Sequence, residues 1–368
     1  MSATIQLPSS DLAADIDFFV NILGFHLDSI YPADDPAVAV ISGFGLAIEL
    51  DTHSDNSPYS ITLRCRKRSE KHSDQSMITA PNGTKIYILE EEPAVIQPST
   101  MHELSVSKLS DKNDWVIGRA GMHYRDLIPS RLGGAIIASH IHIPNGGLVP
   151  DMVHFHEVGF QLIYCYRGWV KVVYEDQGPP IILRSGDCVI QPPEIRHRVL
   201  ESGDDLQVLE ISVPAKHITK IDHEMQLPNE TLNPDRNFNG SCFVHHIGAT
   251  SPWSNWRIPG FKVQKTGIAQ ATQGIADVQI VSPIAGAETV LHQHHGDIVF
   301  YFIKEGSLTV NVCEQEKINS THLSSGDAFV LPPNTTMSFT LCSADCEMVE
   351  VSLAADFVTT IIDSENKY

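Results

Sequence analysis

Positive charge is scarce in this chain of 368 residues: 25 Lys and Arg stand against 45 Asp and Glu, a formal net charge of −20. Such a balance repels nucleic acid and anionic lipid, so neither is an expected partner. A membrane-spanning helix needs about 20 consecutive apolar residues, and no run approaches that length. Met1 to Ser10 lacks both a basic stretch and a long apolar core, so no signal peptide is expected. Cysteine is sparse as well, seven in all, at 65, 165, 188, 242, 313, 342 and 346, with no Cys-x-x-Cys. An odd, scattered set argues for reduced thiols and a cytoplasmic location rather than a disulfide framework. Hydrophobic residues at 42% and charged residues at 19% exclude wholesale disorder, and the length allows two or three domains.

What the chain does have is an internal repeat at an offset of about 140 residues. His154-Phe-His156 is matched by His292-Gln-His294, Gly168 by Gly306, and Gly186-Asp187 by Gly326-Asp327. Pro192-Pro193 pairs with Pro332-Pro333, and Val208 to Val213 with Met348 to Leu353. Within each copy, short runs of β-branched and aromatic residues, such as Gln161 to Arg167 and Trp169 to Tyr174, are punctuated by Gly turns. That texture predicts a jelly roll or barrel. The first hundred residues read differently. A capped amphipathic helix is expected over Ser10 to Gly24, then strands over His26–Tyr31, Ala37–Ile41, Leu46–Leu50 and Ser60–Arg64, and a turn and strand over Pro81–Leu89. Arg66 to Gln75 reads as a solvated loop, and Pro93 to Thr100 as a linker. The expected domains are therefore 1–95, 105–225 and 240–360.

The chemistry is concentrated in the first repeat. His154, His156 and Gln161 lead to Gly168, and Gly186-Asp187 leads through Pro192-Pro193-Glu194 to His197. Three imidazoles and an amide oxygen at this spacing can converge on one divalent metal inside a small barrel. Imidazole suits Fe, Zn, Ni and Mn alike, so the donors do not name the ion. Unpaired, three such imidazoles would be costly to bury. The plainer alternative is a set of satisfied core histidines, which is how His26, His53, His72, His102 and His322 are read.

This two-part motif resembles the cupin superfamily, and its duplication resembles a bicupin: two tandem cupin jelly-roll barrels over roughly residues 105 to 360. Residues 3 to 90, through the helix ending Leu23-Gly24-Phe25 and the Pro81-Asn-Gly-Thr84 turn, resemble a reduced vicinal-oxygen-chelate (glyoxalase-like) α+β module. The resemblance implies metal ligands at His154, His156, Gln161 and His197. Gln161 departs from the usual pattern, which has Glu there. A neutral donor set leaves the metal charge uncompensated and favours Lewis acidity toward a bound anion, and it removes the expected base. The nearest groups in sequence that could serve chemically are Glu157, Tyr164, Tyr166, Glu194 and Arg196; Tyr164, Glu194 and Arg196 are taken as catalytic candidates. Arg119, Arg125 and Arg131 precede the motif, and arginine suits bidentate carboxylate recognition. Arg125 is taken as the anion-holding candidate, against the alternative of surface ion pairs. His140 and His142 alternate on the next strand, where pocket lining competes with a structural role.

In the second repeat Val299 stands in the place of Gln161, and Met337 in the place of His197. That barrel is expected to be structural, with weak metal binding through His292 and His294, helped by His295 or Asp297, as the alternative. The N-terminal module offers Gln6 and a lone Glu49, a poor metal set. Such modules resemble halves of a pair, so a homodimer is expected, which light scattering at micromolar concentration checks. Three functions compete. A three-histidine centre resembles that of cupin dioxygenases, so a metal-dependent dioxygenase acting on a small organic acid is the leading expectation. The alternatives are an oxygen-independent Lewis-acid isomerase or lyase and a non-catalytic small-ligand binder.

Overall fold

The computed structural model describes residues 3–65, 76–90, 95–111, 115–118, 121–314 and 317–362. The chain forms two compact units, Met1–Ala94 and Val95–Tyr368.

In the first unit a helix runs from Leu12 to Asp17 and continues as a wide turn over Phe18–Ile22. Asp11, rather than Ser10, caps it: its carboxylate accepts the Ala14 N–H at 3.0 Å, three residues on, where an N-cap oxygen reaches. Phe18 and Phe19 bury against Ile41, Ile48 and Leu50. Strands Ile5–Pro8, Leu46–Asp51, Val38–Gly43 and His26–Tyr31 form one sheet in that order. Ser60–Cys65, Lys85–Glu90 and Met77–Thr79 form a second, and Met77–Thr79 pairs across the turn at Gly83, whose φ of +88° suits glycine. Strand His26–Tyr31 is a sheet edge with Leu27, Ile30 and Tyr31 exposed. The loop expected over Arg66 to Gln75 lies outside the described residues.

The second unit holds two barrels of the same plan. In the first, Phe160–Arg167 lies between Leu206–Val213 and Cys188–Ile190 in a seven-stranded sheet. The facing sheet runs Ile181–Arg184, Trp169–Tyr174, His197–Ser202, His154–His156, Thr219–Ile221. The second barrel repeats this with Ile298–Glu305 beside Glu347–Leu353 and with His292–His294 in the facing sheet. Each barrel donates an edge strand to the other. Ser105–Ser107 pairs with Ala328–Val330 of the second barrel, and Val244–His246 with Cys188–Ile190 of the first. Two short strands within the expected ranges of 105–225 and 240–360 thus pair with the other barrel. Motif spacing counts residues and carries no information about which open sheet edge a short strand joins, and both edges gain from being covered.

Side-chain parity divides the core. On Phe160–Arg167, Leu162, Tyr164 and Tyr166 join Leu209 and Ile211 in a cluster with Ile280, Phe300, Phe302, Val349 and Val351 of the second barrel. The opposite parity faces the barrel interior, where Cys165 packs with Val170, Val172 and Val208. At roughly 1.5–3 kcal/mol for each large apolar side chain buried, the seam between the barrels is a principal source of stability for this unit.

A polar group is locked into that seam. Arg125 is 2% exposed and donates through Nη2 to the Gly326 carbonyl and, at 3.3 Å, to His140 Nδ1. The His140 Nε2–H donates to Gln207 Oε1 at 2.9 Å. Burial, then the Arg125 charge, pushes the His140 pKa down to about 3. The unfolded imidazole takes up a proton near pH 6.5 while the folded one refuses it. The contribution is therefore complete above pH 6.5 and is lost as pH falls toward 3. By pH 5 the loss attributable to His140 is expected to be roughly 2 kcal/mol. Urea unfolding at pH 7 and pH 5 checks this: His140→Gln should flatten the acid dependence, and an unchanged slope contradicts it.

Candidate metal centre

Alternation along His154–His156 places both imidazoles on the same face of the strand. His197 opens the neighbouring strand directly opposite His154 in the antiparallel register. Three rings therefore converge, with centroids 4.3 Å (His154–His197), 5.2 Å (His154–His156) and 5.2 Å (His156–His197) apart. One ligand atom from each lies within 4.8 Å of the others. All three are buried, at 1%, 8% and 4% exposure.

Each ring is oriented by its outward nitrogen. His154 Nδ1 donates to the Met152 carbonyl at 2.7 Å, and His197 Nδ1 to the Ile195 carbonyl at 3.0 Å. His156 Nδ1 meets the Thr219 hydroxyl at 2.8 Å. A carbonyl can only accept, so in the neutral ring it fixes the tautomer with the lone pair on Nε2, the form a metal needs. Gln161 stands on Phe160–Arg167 of the other sheet. Its Nε2 donates to Ser212 Oγ at 3.2 Å and Glu210 Oε1 at 3.4 Å. Its Oε1 is buried without a hydrogen-bond partner among the described residues, a state that costs about 1–3 kcal/mol unless something satisfies it. The three imidazoles fit one divalent metal ion, and the orphaned amide oxygen is the candidate fourth donor. Among the described residues this is the one His/Cys/Asp/Glu group so arranged.

The three rings line a cavity of about 70 Å³. Its walls are mostly aliphatic, with Ile141, Ile163, Val172, Val199 and Val208 among them. Tyr174 and Gln191 add polarity, the Gln191 Nε2 donating to the Tyr174 hydroxyl at 3.0 Å. Burial raises the Tyr174 pKa and keeps that hydroxyl protonated. Two further ionisable groups line it, Tyr124 and Glu210, the latter on the interior parity of Leu206–Val213 together with Leu206 and Val208. Sequence reasoning quoted this segment only as half of the repeat and passed over Glu210. The signal was present: a lone acid alternating with apolar residues on a strand whose twin carries Glu350 at the matching place.

The four catalytic candidates taken from the sequence do not line this cavity. Arg125 lies in the seam; its neighbour Tyr124 has the inward parity. Tyr164 is fully buried in the core between the barrels, where burial pushes its pKa well up. Glu194 is exposed on a turn, at φ +64°, and its N–H donates to the His156 carbonyl at 3.1 Å. Arg196 stacks over the Phe155 ring at 4.0 Å and pairs with Asp222 at 3.2 Å. Adjacent strand residues face opposite ways, so nearness in sequence does not by itself place a side chain in the cavity. The other groups are likewise engaged elsewhere: Glu157 with Lys220, Arg131 with Asp126 at 3.1 Å, Tyr166 against Phe302, His142 with Asp205 at 2.8 Å. His140 joins the seam rather than the pocket, and Arg119 lies outside the described residues.

The second barrel shows what replaces a metal. His292 and His294 hold the equivalent strand, and Met337 faces His292 in register as His197 faces His154. Val299 and Met337 are fully buried in an apolar cluster. Glu350, at the place of Glu210, is clasped by Arg257: Nη1 reaches Oε1 at 2.6 Å, and Nη2 bonds Oε2. Arg257 Nε also donates to Thr359 Oγ1 at 2.9 Å, and its guanidinium lies over the Trp256 and Phe357 rings at 4.3 and 4.8 Å. Burial holds the His294 pKa down at about 4, so its imidazole is neutral. His295 bonds Asn334 and Thr360, and Asp297 bonds Thr100 and His102. A fixed cation of the protein's own thus occupies the second cup.

No family model matches the chain, and no curated protein does. Solved structures do. The 11S globulin procruciferin of Brassica napus superposes with a TM-score of 0.53 at 10% identity, over 71% of this chain and 86% of that one. The oxalate decarboxylase of Lactobacillus farciminis, solved with formate, gives 0.53 at 14% identity over 72% and 90%. That of Bacillus subtilis at pH 4.6 gives 0.53 at 13% identity over 72% and 80%, and another structure of the B. subtilis enzyme is described by its Mn(II) centres. At these identities the likeness shows the fold: two tandem cupin jelly rolls, mainly β. Among the described residues no helix is long and apolar enough to cross a membrane.

Proposed function

We propose that this chain is a metal-dependent enzyme that moves a proton on a small organic acid inside the first barrel, a lyase or isomerase in reaction class. Glu210 carries the reading: it adds to three converging imidazoles, in one small cavity, a carboxylate able to take up and return a proton. His154, His156 and His197, with Gln161, would hold the divalent ion, whether Mn, Fe, Zn or Ni. When bound, that ion supplies Lewis-acid polarisation of a carboxylate or carbonyl oxygen. Glu210 then receives the loosened proton, while the Gln161 amide holds Glu210 Oε1 in place. The aliphatic walls keep water from competing for it. The neighbours titled oxalate decarboxylase and their Mn(II) centres support an acid substrate and such an ion.

The dioxygenase expectation is kept as the second reading, on the three neutral imidazoles of the centre. The two separate cleanly. The reconstituted protein, kept anaerobic in D2O with a panel of small 2-oxo acids, is expected to exchange substrate hydrogen or release CO2, followed by NMR. Glu210→Gln should slow this by roughly 10²–10⁴-fold with ion content unchanged. Inertness without oxygen, together with an iron–nitrosyl signal from the Fe(II) protein and nitric oxide, would instead establish the second reading. A homodimer and a cytoplasmic location belong to the same proposal, supported by the exposed apolar edge strand of the first unit and by free thiols at Cys165, Cys188, Cys242, Cys313, Cys342 and Cys346.

A further inference from the structure

We infer that the seam between the barrels carries a second binding site, apart from the metal centre, for a neutral polyhydroxylated ring, that is, a monosaccharide. Ser185 and Gly186 of the first barrel face Trp253, Gln264, Lys304 and Glu347 of the second across a cavity of about 370 Å³. That falls within the roughly 300–1,000 Å³ usual for small-molecule sites. It is more than twice the about 150 Å³ that encloses benzene, so a six-membered ring with its substituents has room. None of the metal-centre residues lines it, but Tyr164 does. Tyr164 is fully buried, and its hydroxyl has no hydrogen-bond partner among the described residues. A buried hydroxyl in that state is costly unless something meets it. Burial pushes its pKa well up, so the group stays protonated and can donate.

The walls decide the class of ligand. Lys304 and Glu347 are bonded to each other and part-buried, at 19% and 29% side-chain exposure. Their charges cancel, so an ion gains little unless the pair opens. An ammonium has three donors and a carboxylate about four acceptor sites. Hydroxyl groups can therefore bond both while the pair stays closed, and such charge-assisted bonds are the stronger kind. The ammonium lies close to the first barrel: a Cβ on Gly186 would sit 3.8 Å from its Nζ. Trp253 adds an indole at the rim, 36% exposed, with the Lys262 ammonium 4.5 Å from its ring centroid. Such a ring presents apolar surface beside polar groups, which suits the C–H face of a sugar. The frame is set in advance. Gln264 Nε2 donates to the Gly248 and Ser251 carbonyls at 3.0 and 2.8 Å, and Ser185 Oγ to the Tyr166 carbonyl at 2.7 Å, so little ordering is left to binding.

Saturation-transfer NMR of the whole protein tests this, with glucose, galactose, mannose and xylose as probes and with glucuronate and glucosamine as charged counterparts. At least one neutral sugar is expected to receive saturation. Titration of that sugar should show binding weakened roughly three- to tenfold in Tyr164→Phe and about tenfold or more in Trp253→Ala. Without sugar, Tyr164→Phe should unfold at the wild-type urea midpoint or above it, because the hydroxyl it removes has no partner among the described residues. That separates a hydroxyl kept for a ligand from one that holds the fold. A lowered midpoint overturns the proposal, as does the absence of transfer to every neutral sugar or undiminished binding in both variants. Tighter binding of glucuronate or glucosamine than of any neutral sugar overturns the class of ligand. None of these readouts passes through the ion held by His154, His156 and His197, so their failure leaves the metal-dependent reading untouched.

Discussion

The His154→Ala/His197→Ala protein is expected to lose its divalent ion, from one per chain to fewer than one in ten, when both proteins are reconstituted and desalted together. Each substitution removes one of three imidazoles whose donor atoms lie within 4.8 Å of one another. The single ring left, His156, has the ring of His217 beside it, centroids 5.6 Å apart, which does not restore a three-imidazole set, and Val299 and Met337 make the second cup apolar at the two equivalent places. Stability should follow. An ion at a hundred times its dissociation constant adds about 2.7 kcal/mol to whatever binds it. Added metal should therefore raise the unfolding midpoint of the wild type and leave that of the double variant unmoved. His292→Ala/His294→Ala is the matching control and should keep the ion. Retention by the first variant and loss by the second would invert the assignment.

Arg257→Met should be the most damaging single change in the second barrel, costing about 3–5 kcal/mol. Glu350 is 2% exposed and is paired with that guanidinium through both of its oxygens. Removing the arginine leaves a buried carboxylate without its cation among side chains including His292, Met337 and Tyr301, none of which can supply a permanent charge. The chemistry of the loss is separable from its volume. Adding Glu350→Gln to Arg257→Met removes the stranded charge and should recover most of the deficit, because a buried ion pair as a whole contributes little beyond what neutral packing gives. Urea denaturation of the three variants measures this. A double variant as unstable as the single one would show that packing of the arginine stem on Trp256 and Phe357, not charge, holds the cup together.

The jelly-roll architecture was legible because its signals are local. Period-two runs, Gly turns and a repeat at constant offset are properties of neighbouring residues, and His154, His156 and His197 follow from one strand's parity plus one cross-strand register. Glu210 was not legible by nearness, since its strand is far from the motif in sequence and reaches the cup only by pairing with Phe160–Arg167. The catalytic roles expected for Arg125, Tyr164, Glu194 and Arg196 came from adjacency, and pleating turns adjacent residues to opposite faces. Arg125 is the instructive case: a buried arginine just before a metal motif invites an anion-binding reading, yet one residue of parity sends it to the Gly326 carbonyl and the other barrel. The exchange of Ser105–Ser107 and Val244–His246 between barrels was invisible for a related reason: a three-residue strand carries too little pattern to name its partner. The glyoxalase-like resemblance of the first unit rests on its helix and its Pro-Asn-Gly-Thr turn.

The location of the cation is the claim on which the rest depends, and anomalous diffraction at the absorption edge of the reconstituted ion tests it most directly. One peak per chain is predicted, within bonding distance of His154, His156 and His197. A peak between His292 and His294, or a first cup without density after saturating reconstitution, would contradict it.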